Sequence, residues 1–249
     1  MPSVRLTPLP PLLLSLLLAG PAWSAPAAHD RVILVGDSTM ASTTGYGDAL
    51  CARLTPETAC LNLARGGRSS GSFRAEGRWD EVTGLLRDGA AFRRTYVLIQ
   101  FGHNDQPGKP GRSTDYATGF PVNMTRYVEE ARALGAVPVL VTPLTRRSFR
   151  QGYVQDDLAP WAGTVRKIAA ATGTPLVDLN ALSLAAVQAM GPQEADKLAR
   201  TGANFDHTHV GPLGAQLFSD IVAHELLRKV PDLAGAFAPD VGAAVRGAK

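Results

Sequence analysis

The chain has 249 residues, of which 45% are hydrophobic and 19% charged; 25 lysines and arginines face 22 acidic residues, for a formal charge of +3. That composition excludes a disordered chain and suits one globular domain with a buried core. The near balance of charge implies neither a nucleic-acid partner nor a membrane surface.

Arg5 is the only charge before Asp30, and Leu12 to Leu18 is almost pure leucine. Small residues follow around Ser24 and Ala25. A cationic start, a short apolar run and a small-residue exit read as a signal peptide over 1–25. The run is too short to span a bilayer, and Pro8, Pro10 and Pro11 crowd the start of any buried helix there. The protein is therefore expected to be exported, to the periplasm or fully outside the cell. Without Arg5 the net charge stays near +2.

From there apolar runs and helical patterns alternate. Val32–Val35, ending at Gly36, is the first strand-like run, and a helix is expected over about 46–54. Cys60–Ala64 is a second, weaker run, and a helix follows over 77–88. Tyr96–Phe101 ends at Gly102 and leads to a helix over 118–134; Val137–Val141 ends at Thr142-Pro143 and leads to one over 158–172. Pro175–Asp178 is the fifth run, before helices over 180–190 and 192–199. A last helix, over 212–229, opens at Pro212, where a missing N–H costs nothing. None of the runs alternates with period two, as expected of parallel strands covered on both faces. The order implies an α/β fold, a parallel sheet between two helical layers, in one domain over 26–230. The Ala- and Gly-rich tail over 231–249 is expected to be loosely held.

Only two cysteines occur, Cys51 and Cys60. In an exported chain such a pair invites a disulfide worth roughly 2–3 kcal/mol, with two buried thiols as the alternative. No suitably spaced histidines join them in a metal site.

In an open parallel sheet the loops after the strands hold the ligand. Gly36-Asp37-Ser38-Thr39 follows the first run, and a serine just past a strand end is well placed as a nucleophile once a base activates it. Asn62 to Ser70, with Gly66-Gly67, follows the second; paired glycines let a backbone approach a ligand closely. Gly102-His103-Asn104-Asp105 follows the third and offers a side-chain amide to a developing oxyanion. Asp206-His207-Thr208-His209 stands before the last helix, and an Asp three residues before a His can accept its Nδ1–H and free Nε2 as a base. Taken singly, each block also makes an ordinary turn or loop. His207 is less suited than His209 to support from Asp206 and is read as structural or lining the site. Two histidines and an aspartate could instead ligate a metal, although no further ligand cluster appears.

In this fixed order the four blocks resemble those of the SGNH (GDSL-type) hydrolases, over about residues 31–229. The resemblance implies a flavodoxin-like three-layer α/β/α sandwich with a five-stranded parallel sheet. It implies Ser38 as nucleophile, His209 as base and Asp206 as its partner. The oxyanion hole would be the backbone N–H groups of Ser38 and Gly67 and the side chain of Asn104. The wording Asn62-x-Ala64-x-x-Gly67-Arg68-Ser69, Gln100-Phe101-Gly102-His103-Asn104-Asp105 and Asp206-His207-Thr208-His209 is similar to that of rhamnogalacturonan acetylesterases, the twelfth carbohydrate esterase family. Met40 and the Gly45-Tyr46-Gly47 turn fit too, with Tyr where Trp is expected. An acetylated, acidic polysaccharide is then the expected substrate, with no cofactor, in a monomer. Asp37, Arg68, His103 and His207 are candidate substrate contacts, and Arg68 or the Arg146-Arg147 pair would meet carboxylates. The alternatives are an esterase for xylan or small acyl esters and, further off, a non-catalytic carbohydrate binder. A nucleotide-binding domain is remote, since the first turn lacks Gly-x-Gly-x-x-Gly.

Overall fold

Every residue of Arg31–Gly36 (β1) is buried, as a run without alternation requires when both its faces are covered. The computed structural model describes residues 29–202, 204–239 and 241; the signal-peptide reading of 1–25 lies outside them. After β1 come α1 (Gly47–Cys51), β2 (Ala59–Asn62), α2 (Ser70–Ala75), α3 (Arg78–Arg87), β3 (Thr95–Gln100), α4 (Gly119–Ala133) and β4 (Val137–Val141). A short hairpin, β5 (Phe149–Arg150) and β6 (Tyr153–Val154), precedes α5 (Ala159–Thr172), β7 (Leu176–Val177), α6 (Leu179–Asp196) and α7 (Pro212–Lys229).

Five parallel strands form the main sheet in the order β2-β1-β3-β4-β7. One face carries Val32, Leu34, Leu98, Val139 and Val141 against Leu50 of α1, Val187 of α6 and Phe218 of α7. The other carries Ile33, Val35, Val97, Ile99 and Leu140 against Trp79 of α3, Met124 of α4 and Val165 of α5. Period two along each strand thus feeds two cores, one per helical layer. This is the expected three-layer α/β/α sandwich. The strand order reverses between β1 and β3, which pair in register from Arg31–Thr95 to Gly36–Gln100. Both strands run out level with each other, and a crevice opens beyond such a switch point.

The differences from expectation are local. Helix α2 precedes α3 because Ser69 and Ser72 form a reciprocal capping box, and Gly77, at φ 73°, separates the two helices. The hairpin turns on Gln151 and Gly152, both at positive φ. The two helices expected over 180–190 and 192–199 are both there within α6, since the backbone is non-helical at Gly191 (φ 72°, ψ 171°); Pro192 follows that break, and the second helix stops at Asp196. The tail is not loose over 231–239 or at 241. Leu233, Phe237 and Val241 are apolar enough to bury in the core beside α1 and α7, and Phe237 bridges to Leu54. The rest of the tail, 242–249, lies outside the described residues. Cys51 and Cys60 are joined as a disulfide that ties the end of α1 to edge strand β2, with Cα atoms 5.6 Å apart. No helix among the described residues is long and apolar enough to cross a membrane.

Candidate active site

Where β1 ends, the chain turns sharply. The amides of Met40 and Ala41 donate to the Asp37 carbonyl, and the Asp37 carboxylate accepts from the Thr39 amide (2.9 Å) and hydroxyl (2.8 Å). Ser38 sits at the bend, 8% exposed. The Thr44 hydroxyl donates to the Ser38 carbonyl at 2.7 Å. Gly45 lies so close to Thr39 that a Cβ there would fall 2.2 Å from its carbonyl, so only glycine closes this turn.

The segment before α7 brings the base. His209 Nε2 lies 2.8 Å from Ser38 Oγ, across 171 residues of chain. His209 Nδ1 lies 2.8 Å from Asp206 Oδ2, and Asp206 Oδ1 accepts the amides of Thr208 (2.9 Å) and His209 (2.8 Å). Partial burial would raise the Asp206 carboxyl, but these amides and the imidazole outweigh it and hold it down at about 2. An ionised acceptor on Nδ1 leaves Nε2 its lone pair, turned toward the hydroxyl whose proton it can take. The Val210 amide donates to the Thr44 carbonyl, so one threonine ties the serine turn to the histidine segment.

A cavity of about 260 Å³ opens on Ser38 and His209, and Gly67 and Asn104 line it as well. Gly67 holds a left-handed φ of 78°, and Asn104 Nδ2 donates to the neighbouring Arg68 carbonyl at 3.1 Å. Asp105 fastens the two loops together: it accepts the Ser70 amide at 3.0 Å, the Ser70 hydroxyl at 2.6 Å and the Thr114 hydroxyl at 2.8 Å. Burial still raises its carboxyl to about 6. Ser38, Gly67, Asn104, Asp206 and His209, expected together, are together. Donors at Gly67 and Asn104 beside an activated hydroxyl are what acyl transfer needs. Among the described residues no group of three or more His, Cys, Asp or Glu side chains could hold a metal ion.

The expected substrate contacts fare less well. Asp37 is fully buried and cannot reach a ligand; its carboxylate is spent on the turn and faces His103. Burial would raise this carboxyl, yet His103 and Thr39 hold it below its ordinary value. The Arg68 guanidinium pairs with Glu76 and with the Gly66 carbonyl, at 2.9 and 2.8 Å, and Arg68 is not among the cavity's lining residues. His103 lines the cavity although it is only 2% exposed. His207 is exposed, is not among the cavity's lining residues, and pairs through Nδ1 with the Arg147 carbonyl. Of the arginine pair, Arg146 lines the cavity but Arg147 is 1% exposed and cannot meet a carboxylate of a substrate. Lys109 and Arg112 line the cavity and were not anticipated. The signal was available, since Gly108-Lys109-Pro110-Gly111-Arg112 is a cationic turn within the loop after β3.

Residues 34–217 match the GDSL-like lipase/acylhydrolase family. A rhamnogalacturonan acetylesterase of Bacillus subtilis, RhgT, is 32% identical over 211 residues, covering 78% of this chain and 88% of the relative. A rhamnogalacturonan acetylesterase of Emericella nidulans is 28% identical over 215 residues, covering 78% and 83%. Among solved structures, YxiM of Bacillus subtilis superposes with a TM-score of 0.68 at 25% identity, over 84% of this chain and 59% of that one. With its motifs folded into one site and matched over most of its described length, the chain belongs to the GDSL-like lipase/acylhydrolase family and is a serine esterase.

Proposed function

We propose that the protein is an exported carbohydrate esterase that removes O-acetyl groups from pectic polysaccharide of the rhamnogalacturonan type. Ser38 Oγ attacks the acetyl carbonyl while His209 Nε2 takes its proton, and Asp206 holds the ring and stabilises the imidazolium. The Ser38 and Gly67 amides and the Asn104 side chain receive the oxyanion. His209 then protonates the departing sugar oxygen, and water attacks the acetyl-enzyme by the same route. The observation that carries this reading is the unbroken relay from Ser38 Oγ through His209 to Asp206, at 2.8 Å on each side of the ring.

Two observations support an acidic carbohydrate as substrate. The relatives RhgT and the Emericella nidulans protein are named as rhamnogalacturonan acetylesterases. The cavity also gathers Lys109, Arg112 and Arg146 beside Ser38. Burial, and then the neighbouring Arg146 and Arg112, depress the Lys109 ammonium against the pull of Asp157. Asp157 already pairs with Arg146, so Lys109 and Arg112 are the two cations that a substrate carboxylate would meet. Export rests on the leader-like residues before Pro26.

Acetate release from acetylated rhamnogalacturonan, acetylated xylan and a neutral acetyl ester tests the reading. The highest kcat/KM is expected on the acidic polymer, with a KM that rises with salt for that substrate alone. Ser38→Ala should release no acetate from any of them. Equal, salt-independent rates on all three would remove the pectic assignment, and an active Ser38→Ala would remove the mechanism.

A further inference from the structure

Arg147 lies just beyond β4 and is buried, at 1% exposure. Its Nη2 donates to two backbone carbonyls, those of Asp206 and His209, at 2.7 Å each. Its own amide donates to the His207 carbonyl at 2.8 Å, and its carbonyl meets His207 Nδ1 at 3.0 Å. Four contacts from one residue therefore converge on the turn that carries the proposed base and its carboxylate. Three of them end on backbone atoms of that turn.

Stability alone is a poor account of this residue. Nε and Nη1 of Arg147 have no hydrogen-bond partner among the described residues. Burying a cation with idle donors costs free energy, and an apolar side chain of similar volume fills such a place at lower cost. Burial lowers the guanidinium to about 10, with Asp206 and Asp196 holding it up, so it stays charged at neutral pH. What an apolar side chain cannot do is join two carbonyls three residues apart. The bonds from the Thr208 and His209 amides to Asp206 Oδ1 close the turn from within, and the guanidinium bridges its two ends.

We propose that Arg147 is a positioning residue of the esterase: its guanidinium clamps both ends of the 206–209 turn and so keeps His209 Nε2 within reach of Ser38 Oγ. It touches neither the substrate nor the reacting atoms. The inference rests on the reading of Ser38, His209 and Asp206 as the catalytic relay.

The test uses the full-length protein with Arg147→Met, which keeps volume and loses the donors, and Arg147→Lys, which returns one charged nitrogen. Steady-state kinetics on a small acetyl ester, thermal melts and the downfield proton resonance of the His209–Asp206 bond are measured for each. A misplaced base is expected to lower kcat about 100-fold in Arg147→Met. KM should stay within about twofold, as when an interaction of the transition state alone is lost. The downfield resonance should broaden or vanish, and Arg147→Lys should recover most of the rate. A folded Arg147→Met with wild-type kcat overturns the inference, as does a fall in kcat/KM carried by KM. Loss of the cooperative melt in both variants also overturns it, by assigning Arg147 to the fold as a whole. Ser38→Ala, assayed alongside, separates the two readings: an active Ser38→Ala removes the relay itself, whereas an inactive one beside a fully active Arg147→Met removes only the clamp.

Discussion

Two carboxylate–imidazole pairs serve the Ser38 cavity, and they are built in opposite ways. In Asp206–His209 the atoms are 2.8 Å apart, both side chains are partly exposed, and each ring nitrogen has a partner. In Asp37–His103 the nearest atoms are 3.4 Å apart, both groups are buried, and neither ring nitrogen makes a hydrogen bond among the described residues. The Asp206 carboxylate has two amides on one oxygen and the imidazole on the other, so it orients a ring. The Asp37 carboxylate spends Oδ1 on Thr39 and so shapes the serine turn instead. Composition does not separate the two pairs. What separates them is where the far nitrogen of each ring points: Nε2 of His209 meets the Ser38 hydroxyl, and Nε2 of His103 meets no partner among the described residues.

Substitution at each histidine presses on that comparison hardest. His209→Ala should lower kcat about ten-thousand-fold with the fold intact, since the hydroxyl then has no base. His103→Gln should cost tenfold or less, about 1.4 kcal/mol, because its ring takes no proton from the nucleophile. Comparable losses in the two variants would erase the distinction.

The carboxylates differ in their acid response. Asp206 titrates at about 2 in the folded chain, below its ordinary 3.8. A depressed carboxyl contributes stability that is complete above the unfolded value and lost as pH falls toward the folded one. Urea melts of wild type and Asp206→Asn should therefore differ most above about pH 4 and converge as pH approaches about 2. A constant gap across that window would show that the amides around Asp206 do not favour its charged form.

Much of the site was legible because its signals are local. Asp206 and His209 stand three residues apart, within reach of one turn, and the strand-end rule puts Ser38 and Asn104 at the same edge of the sheet. The misreadings share one cause, since adjacency to a site says nothing about which way a side chain faces. Asp37 neighbours Ser38 yet turns inward. Arg146 and Arg147 are neighbours in the stretch between β4 and β5, yet Arg146 lines the cavity and Arg147 is buried in the interior. Lys109 and Arg112 form a cationic turn in the sequence, but their approach to the cavity, with Arg112 beside Gly67, is tertiary. In the tail, three apolar residues outweigh the alanines and glycines around them by docking beside α1 and α7.

The central claim is that Ser38 is a nucleophile activated by His209. Stoichiometric treatment with a serine-directed phosphonate, followed by peptide mapping, tests it directly. Activity should vanish in step with one adduct per chain on the peptide carrying Ser38, and His209→Ala should label far more slowly. Inactivation with no adduct at Ser38, or an adduct at Ser38 that leaves acetate release untouched, would contradict it.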